Sequence, residues 1–210
     1  MGNQGVHEMD IARRGPGVTL PVKISAAGGH LMFDDDQQTP NDLIAVFEFP
    51  NPDGGGDKKK ILQFEVRHWI TNREGIKSET PQAAGNTYMT SAENTVGNLF
   101  FGSKGYMTKN VGEWETFMGK QRVAGEKRAG LGDHYSNFIE AIRANDQKLA
   151  HGYIRDGFHT CALMHLGNIS YRLGKPLEFD PVKMKFINAP EADAMLTRQY
   201  REPFVVRDEV

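Results

Sequence analysis

The chain has 210 residues, a formal net charge of −2, 39% hydrophobic and 10% aromatic content, and a single cysteine. That length and apolar content fit one folded domain spanning residues 1–210 rather than a disordered chain. The near-neutral charge leaves no basic field for nucleic acid, and one cysteine, Cys161, supports neither a disulfide framework nor a Cys-based zinc site.

In chain order, Val6–Arg14 reads as a short helix stopped by Gly15-Pro16-Gly17, followed by a strand over Val22–Ala26 and a polar loop through Asp34–Asn41. Two alternating runs come next. Leu43, Ala45, Phe47 and Phe49 share one face of the first, and Leu62, Phe64, Val66, His68 and Ile70 share one face of the second. The turn between them, Asn51–Asp57, is dense in Pro, Gly and Asp, so the pair is expected to be an antiparallel hairpin. Gln63, Glu65, Arg67 and Trp69 line its opposite face, which is either solvent surface or the wall of a site. Further strands are expected over Thr95–Phe101 and Tyr106–Lys109, and a polar, glycine-rich loop over residues 119–132.

The last third turns helical. Asp133 is placed to N-cap a helix with a buried stripe of Tyr135, Phe138, Ile139 and Ile142, ending near Asn145. Tyr153–Leu173, apolar on nearly every face around Phe158–Leu166, reads as a central buried helix closed by Gly174. Asn188 and Glu191 suggest a capping box for a final helix whose stripe is Ala192, Met195, Leu196 and Tyr200.

Strands clustered early and helices clustered late predict an α+β fold: an open, mostly antiparallel sheet with helices packed on one face. A dinucleotide-binding unit needs a strand, then G-x-G-x-x-G, then a helix, and no glycine cluster here meets that context. No cofactor is therefore expected to be held by this chain itself. No apolar run of about 18 residues predicts a membrane span. Met1–Gly5 lacks the charged and apolar regions of a signal peptide, so the compartment stays open with the cytoplasm as default.

Specific strings carry a resemblance. Gly2-Asn3-Gln4-Gly5-Val6-His7-Glu8-Met9-Asp10-Ile11-Ala12-Arg13 resembles the opening segment of the catalytic domain of the Gfo/Idh/MocA oxidoreductases, which reads Asp-x-Gly-x-His-x-x-Asp. The strings around Asp35–Asn41, Glu65–Trp69, Gly97–Gly105, His165–Gly174 and Tyr200–Val205 are similar to a bacterial, sugar-dehydrogenase-like subgroup of that family. The resemblance runs along the whole chain in order and implies the C-terminal, substrate-side domain of a two-domain enzyme. NAD or NADP would sit in a separate Rossmann domain. It further implies sugar or polyol substrates, a homodimer or higher oligomer through the sheet face, and a chain that is inactive alone for lack of a hydride acceptor.

Oxidising a secondary alcohol needs a base, and histidine suits that role because it titrates near neutrality. By the resemblance, His7 occupies the catalytic histidine position. Asn3 stands where the family has an acid, and an amide cannot transfer a proton. Asp10, one turn on, is placed either to orient the imidazole or to serve as an ordinary first-turn acid. Arg67 and Trp69 offer a fork of donors and an aromatic plate that suit a hydroxylated ring. Asp36 and Gln37 either bind hydroxyls from their loop or solvate a turn. Two alternatives stay open beside the oxidoreductase reading: a stand-alone sugar-binding or assembly module, and a cofactor-independent lyase or hydrolase acting on keto-sugars.

Overall fold

The computed structural model describes residues 2–51, 58–67, 96–110, 112–130 and 132–206. Alternation builds its first sheet. In strands β2 (Asp42–Pro50) and β3 (Lys59–Arg67) every second residue is apolar, and successive strand side chains point to opposite faces. Leu43, Ala45, Phe47, Phe49, Leu62 and Phe64 are accordingly buried. The two strands pair antiparallel from Asp42 opposite Arg67 to Pro50 opposite Lys59, as the expected hairpin requires. Most of its turn lies outside the described residues, as do His68, Trp69 and Ile70.

Strand β1 (Lys23–Gly29) pairs with the other edge of β2. Two strands from near the C-terminus complete this sheet: β8 (Leu177–Asp180) beside β1, then β9 (Lys185–Phe186), for a spatial order of β3-β2-β1-β8-β9. Helices α1 (Gly2–Arg14) and α3 (Ile154–Leu173) pack together on its inner face. Met9, Leu163, Leu166 and Ile169 from the helices meet Ile24, Phe47, Phe49 and Phe179 from the strands in one core. The Ser170 hydroxyl fixes the relation of α3 to β1. It accepts from the Ala26 N–H at 3.1 Å and donates to the Lys175 carbonyl at 2.9 Å.

The second sheet is a meander of β4 (Asn98–Gly102), β5 (Gly105–Lys109), β6 (Glu113–Met118) and β7 (Val123–Ala129), adjacent in that order and all antiparallel. It meets α1 closely at Gly15, where an added Cβ would lie 2.3 Å from a Phe100 ring atom, so only glycine fits without a shift. The architecture is α+β with antiparallel pairing throughout the described residues, as anticipated, but its strands divide between two sheets.

Other expectations need correction. Residues 119–132, expected to be a loop, contain β7, whose seven residues are all exposed. A strand exposed on both faces needs no apolar alternation, so periodicity does not reveal it. The helix α2 (His134–Ala144) forms as expected, with Asp133 accepting from the N–H groups of Tyr135 and Ser136, and left-handed Asn145 closing it. Its stripe is not buried: Tyr135, Phe138, Ile139 and Ile142 are 87%, 60%, 44% and 57% exposed. Amphipathicity says which face is apolar and not what covers it. Likewise α3 is buried along one side only, with Ile154 and Phe158 exposed. The last helix, α4, is one turn, Pro190–Asp193, and its N-cap is Ala189 with no side-chain bond. Asn188 instead adopts a left-handed conformation and the Glu191 carboxylate pairs with Lys175, so the capping box does not form. Strands β8 and β9 were not anticipated; four and two residues are too short to show a period.

Candidate functional site

His7 lies on α1, exposed to solvent, in a helix that begins at Gly2 rather than at Val6. What holds this helix in place is a polar network between α1 and α3. Arg13 is only 4% exposed. Its Nη1 donates to the Val18 carbonyl at 3.1 Å, its Nη2 to Asp156 Oδ1 at 2.9 Å, and its Nε to the Thr160 hydroxyl at 3.4 Å. Thr160 in turn donates to Asp10 Oδ1 at 2.8 Å, while Asp10 Oδ2 pairs with Arg14 Nε at 2.9 Å. A buried guanidinium without these partners would be strongly destabilising, so the network locks the rotation of α1 about its axis. The Arg13 hydrogen bond holds the Asp156 carboxyl below the ordinary carboxylate range.

Asp10 is therefore not a first-turn acid, and it makes no hydrogen bond to His7 in this structure. Both its oxygens are engaged by Thr160 and Arg14, and it sits mid-helix because α1 starts earlier than expected. No hydrogen bond joins His7 to another described residue. Asn3 falls in α1, but its side chain lies outside the described part. His159, beside the network on α3, has a buried Nδ1 with no hydrogen-bond partner, and burial pushes its pKa below the usual histidine value.

The loop that carries Asp36 and Gln37 runs into β2 at Asp42, which lies opposite Arg67 at one end of the first sheet. Asn41 ties the loop down: its Oδ1 accepts from the Leu31 N–H at 3.0 Å and its Nδ2 donates to the Phe33 carbonyl at 2.7 Å. Within that loop Gln37 is turned inward on itself, its backbone and side-chain amides donating to the Asp35 carboxylate at 2.9 and 2.7 Å. Asp36 is exposed. Asp42, next to Asn41, is opposite Arg67 in the sheet; it is 8% exposed and its Oδ2 is buried without a partner among the described residues. Arg67 pairs with Glu65 at 2.9 Å on the outer face, and Trp69 lies outside the described residues. The structure thus brings Arg67, Asp42 and the 30–41 loop together, and no hydrogen bond joins His7 to that group among the described residues.

Sequence reasoning missed Thr160 and Asp156 as partners of α1. The i, i+3, i+4 charges Asp10, Arg13 and Arg14 were a visible signal, but their partners lie more than 140 residues away in the chain. Among the described residues no three metal-ligating side chains converge.

An α+β domain with antiparallel sheets and a helix presenting a histidine is the class that these observations define. Residues 118–206 match the model described as the C-terminal alpha/beta domain of the oxidoreductase family, Gfo/Idh/MocA type. The matched part runs from the end of β6 through β7, the helices α2, α3 and α4, and β8 and β9. It is less than half of the chain. No curated protein matches the chain.

Proposed function

We propose that this chain forms the substrate-side domain of an NAD(P)-dependent sugar or polyol oxidoreductase of the sugar-dehydrogenase-like bacterial kind, with His7 as the base that takes the hydroxyl proton. The observation that carries the reading is the family match over residues 118–206, joined to α1 through the network in which Asp156 and Thr160 of the matched part hold Arg13 and Asp10. That network sets an exposed histidine on a rigid helix, which is what proton abstraction from a bound alcohol requires. Asp36, Gln37, Arg67 and Trp69 supply polar and aromatic groups for a hydroxylated ring, and Asn3 keeps a hydrogen-bonding side chain near His7 in sequence.

The described residues do not fit a nicotinamide. Every strand pair among them is antiparallel, and none leads through a glycine-rich turn into the N-terminus of a crossover helix. No hydride step is assigned to them. The exposed strand faces, with Leu99 and Phe101 at 60% and 79% exposure, suit pairing with a second copy.

Calorimetry of the chain with inositol and neutral hexoses, alongside assays with keto-sugars in the absence of NAD, tests the reading. Polyol binding that His7→Ala weakens, without turnover, is expected. Turnover of a keto-sugar without NAD that His7→Ala abolishes would overturn it in favour of a cofactor-independent lyase or hydrolase. Polyol binding indifferent to His7 would favour a stand-alone binding module.

A further inference from the structure

The register of the second sheet places four polar or aromatic residues in a row: Asn98 opposite Lys109, Lys109 opposite Trp114, and Trp114 opposite Arg128. Directly opposed residues of antiparallel strands project from the same face. The four side chains therefore stand side by side across the sheet, about 14 Å from end to end at ~4.8 Å per strand. The row begins at α1, where Asn98 Nδ2 donates to Glu8 Oε2 at 2.7 Å, one residue from His7. At its far end Lys109, Trp114 and Arg128 border a cleft of about 210 Å³, whose lining is completed by Gly112, Glu113, Ala129 and Gly130, the Glu113 carboxylate being paired with Lys127. The Gly130 N–H donates to the Gly112 carbonyl at 2.8 Å, so the floor of that end is fixed backbone.

The two faces of this sheet differ in how charge is balanced. On one face Glu113 and Glu115 are met by Lys127, at 3.4 and 4.0 Å. On the other, Lys109 and Arg128 flank the Trp114 indole and neither makes an ion pair among the described residues. Glu126, two residues before Arg128, is not paired with it. The Lys109 ammonium donates to the Asn110 carbonyl, which leaves N–H groups to spare, and the Arg128 guanidinium donates to no partner among the described residues. Two cations without an ion pair among the described residues, on either side of an aromatic plate, form a seat for an anion that carries a flat apolar surface.

We infer that this row binds an anionic sugar, its ring on Trp114 and its carboxylate or phosphate between Lys109 and Arg128. The cleft is smaller than the ~300 Å³ lower bound for drug-sized ligands, and so suits a single ring. The inference rests on the oxidoreductase reading only for the sugar; the anion seat stands on the register and the unpaired cations.

Calorimetry of the chain at low ionic strength with glucuronate, glucose 6-phosphate and glucose tests it. At least one of the two anions should bind about tenfold more tightly than glucose, because charge-assisted hydrogen bonds are roughly twice as strong as neutral ones and that free-energy margin converts to about tenfold in affinity. Arg128→Gln and Lys109→Gln should each reduce the preference, with unchanged circular dichroism. Stronger binding of glucuronate assigns the seat to a carboxylate, and of glucose 6-phosphate to a phosphate. His7→Ala should leave anion binding intact, so failure of the oxidoreductase reading would not be mistaken for failure of this one. Equal binding of glucose and both anions, no binding of any of the three, or a preference that survives in the double variant would overturn it.

Discussion

The two sheets use the same antiparallel pairing and hold their side chains in opposite circumstances. In the first sheet, the inner faces of β1, β2, β3 and β8 are sealed by α1 and α3, and the phenylalanines Phe47, Phe49 and Phe179 are nearly inaccessible. In the second sheet no residue is fully buried, and α2 beside it in sequence also leaves its apolar stripe uncovered. The first sheet and its two helices therefore carry the stability of the domain. The second sheet and α2 leave most of their side chains exposed. Pairing alone does not say which sheet carries the core; what covers each face does.

That contrast fails if substitutions in the two sheets cost the same. The largest effect is expected for Phe47→Ala, which opens a cavity under both helices and should lower stability by about 3–5 kcal/mol. The check is a shift of the denaturant midpoint at unchanged slope.

Arg13→Met comes next. Asp156 and Asp10 are 35% and 33% exposed, so solvent offsets part of the loss and about 2 kcal/mol is expected, below the 3–5 of a fully buried pair. This difference should depend on pH. The Asp156 pKa is lowered in the folded state, so the stabilisation is full above the unfolded Asp value of about 3.9 and is lost as pH falls through the folded value. Wild type and Arg13→Met stability curves should begin to approach each other below about pH 4 and draw closer as pH falls through the folded Asp156 value.

Thr160→Val removes the hydroxyl that links Arg13 to Asp10 and should cost about 1 kcal/mol, read by the same denaturation. The smallest effect is expected in the second sheet. Phe101→Ser should leave stability within about 0.5 kcal/mol, because the ring is 79% exposed. A loss there as large as at Phe47 would erase the distinction between the sheets.

The legible parts of the fold were those where burial and pattern coincide. Leu43 through Phe49 and Leu62 and Phe64 alternate because one face of each strand is sealed, and the caps at Asp133, Asn145 and Gly174 are local chemistry. β7 was hidden because none of its side chains is buried, and β8 and β9 because they are too short to show a period. At the site, His7 and Arg67 were visible as residue types at motif positions. The partner of Asp10, Thr160, is not legible because it is distant in sequence. The Lys109–Trp114–Arg128 row depends on register across three strands, one of which, β7, carries no apolar period in its sequence.

Calorimetric titration of this chain with NADH and NADPH most directly tests whether these residues form only the substrate side of an oxidoreductase. No saturable binding is predicted, since the described strands and turns provide no dinucleotide cradle. Micromolar binding of either nucleotide by this chain alone would contradict it.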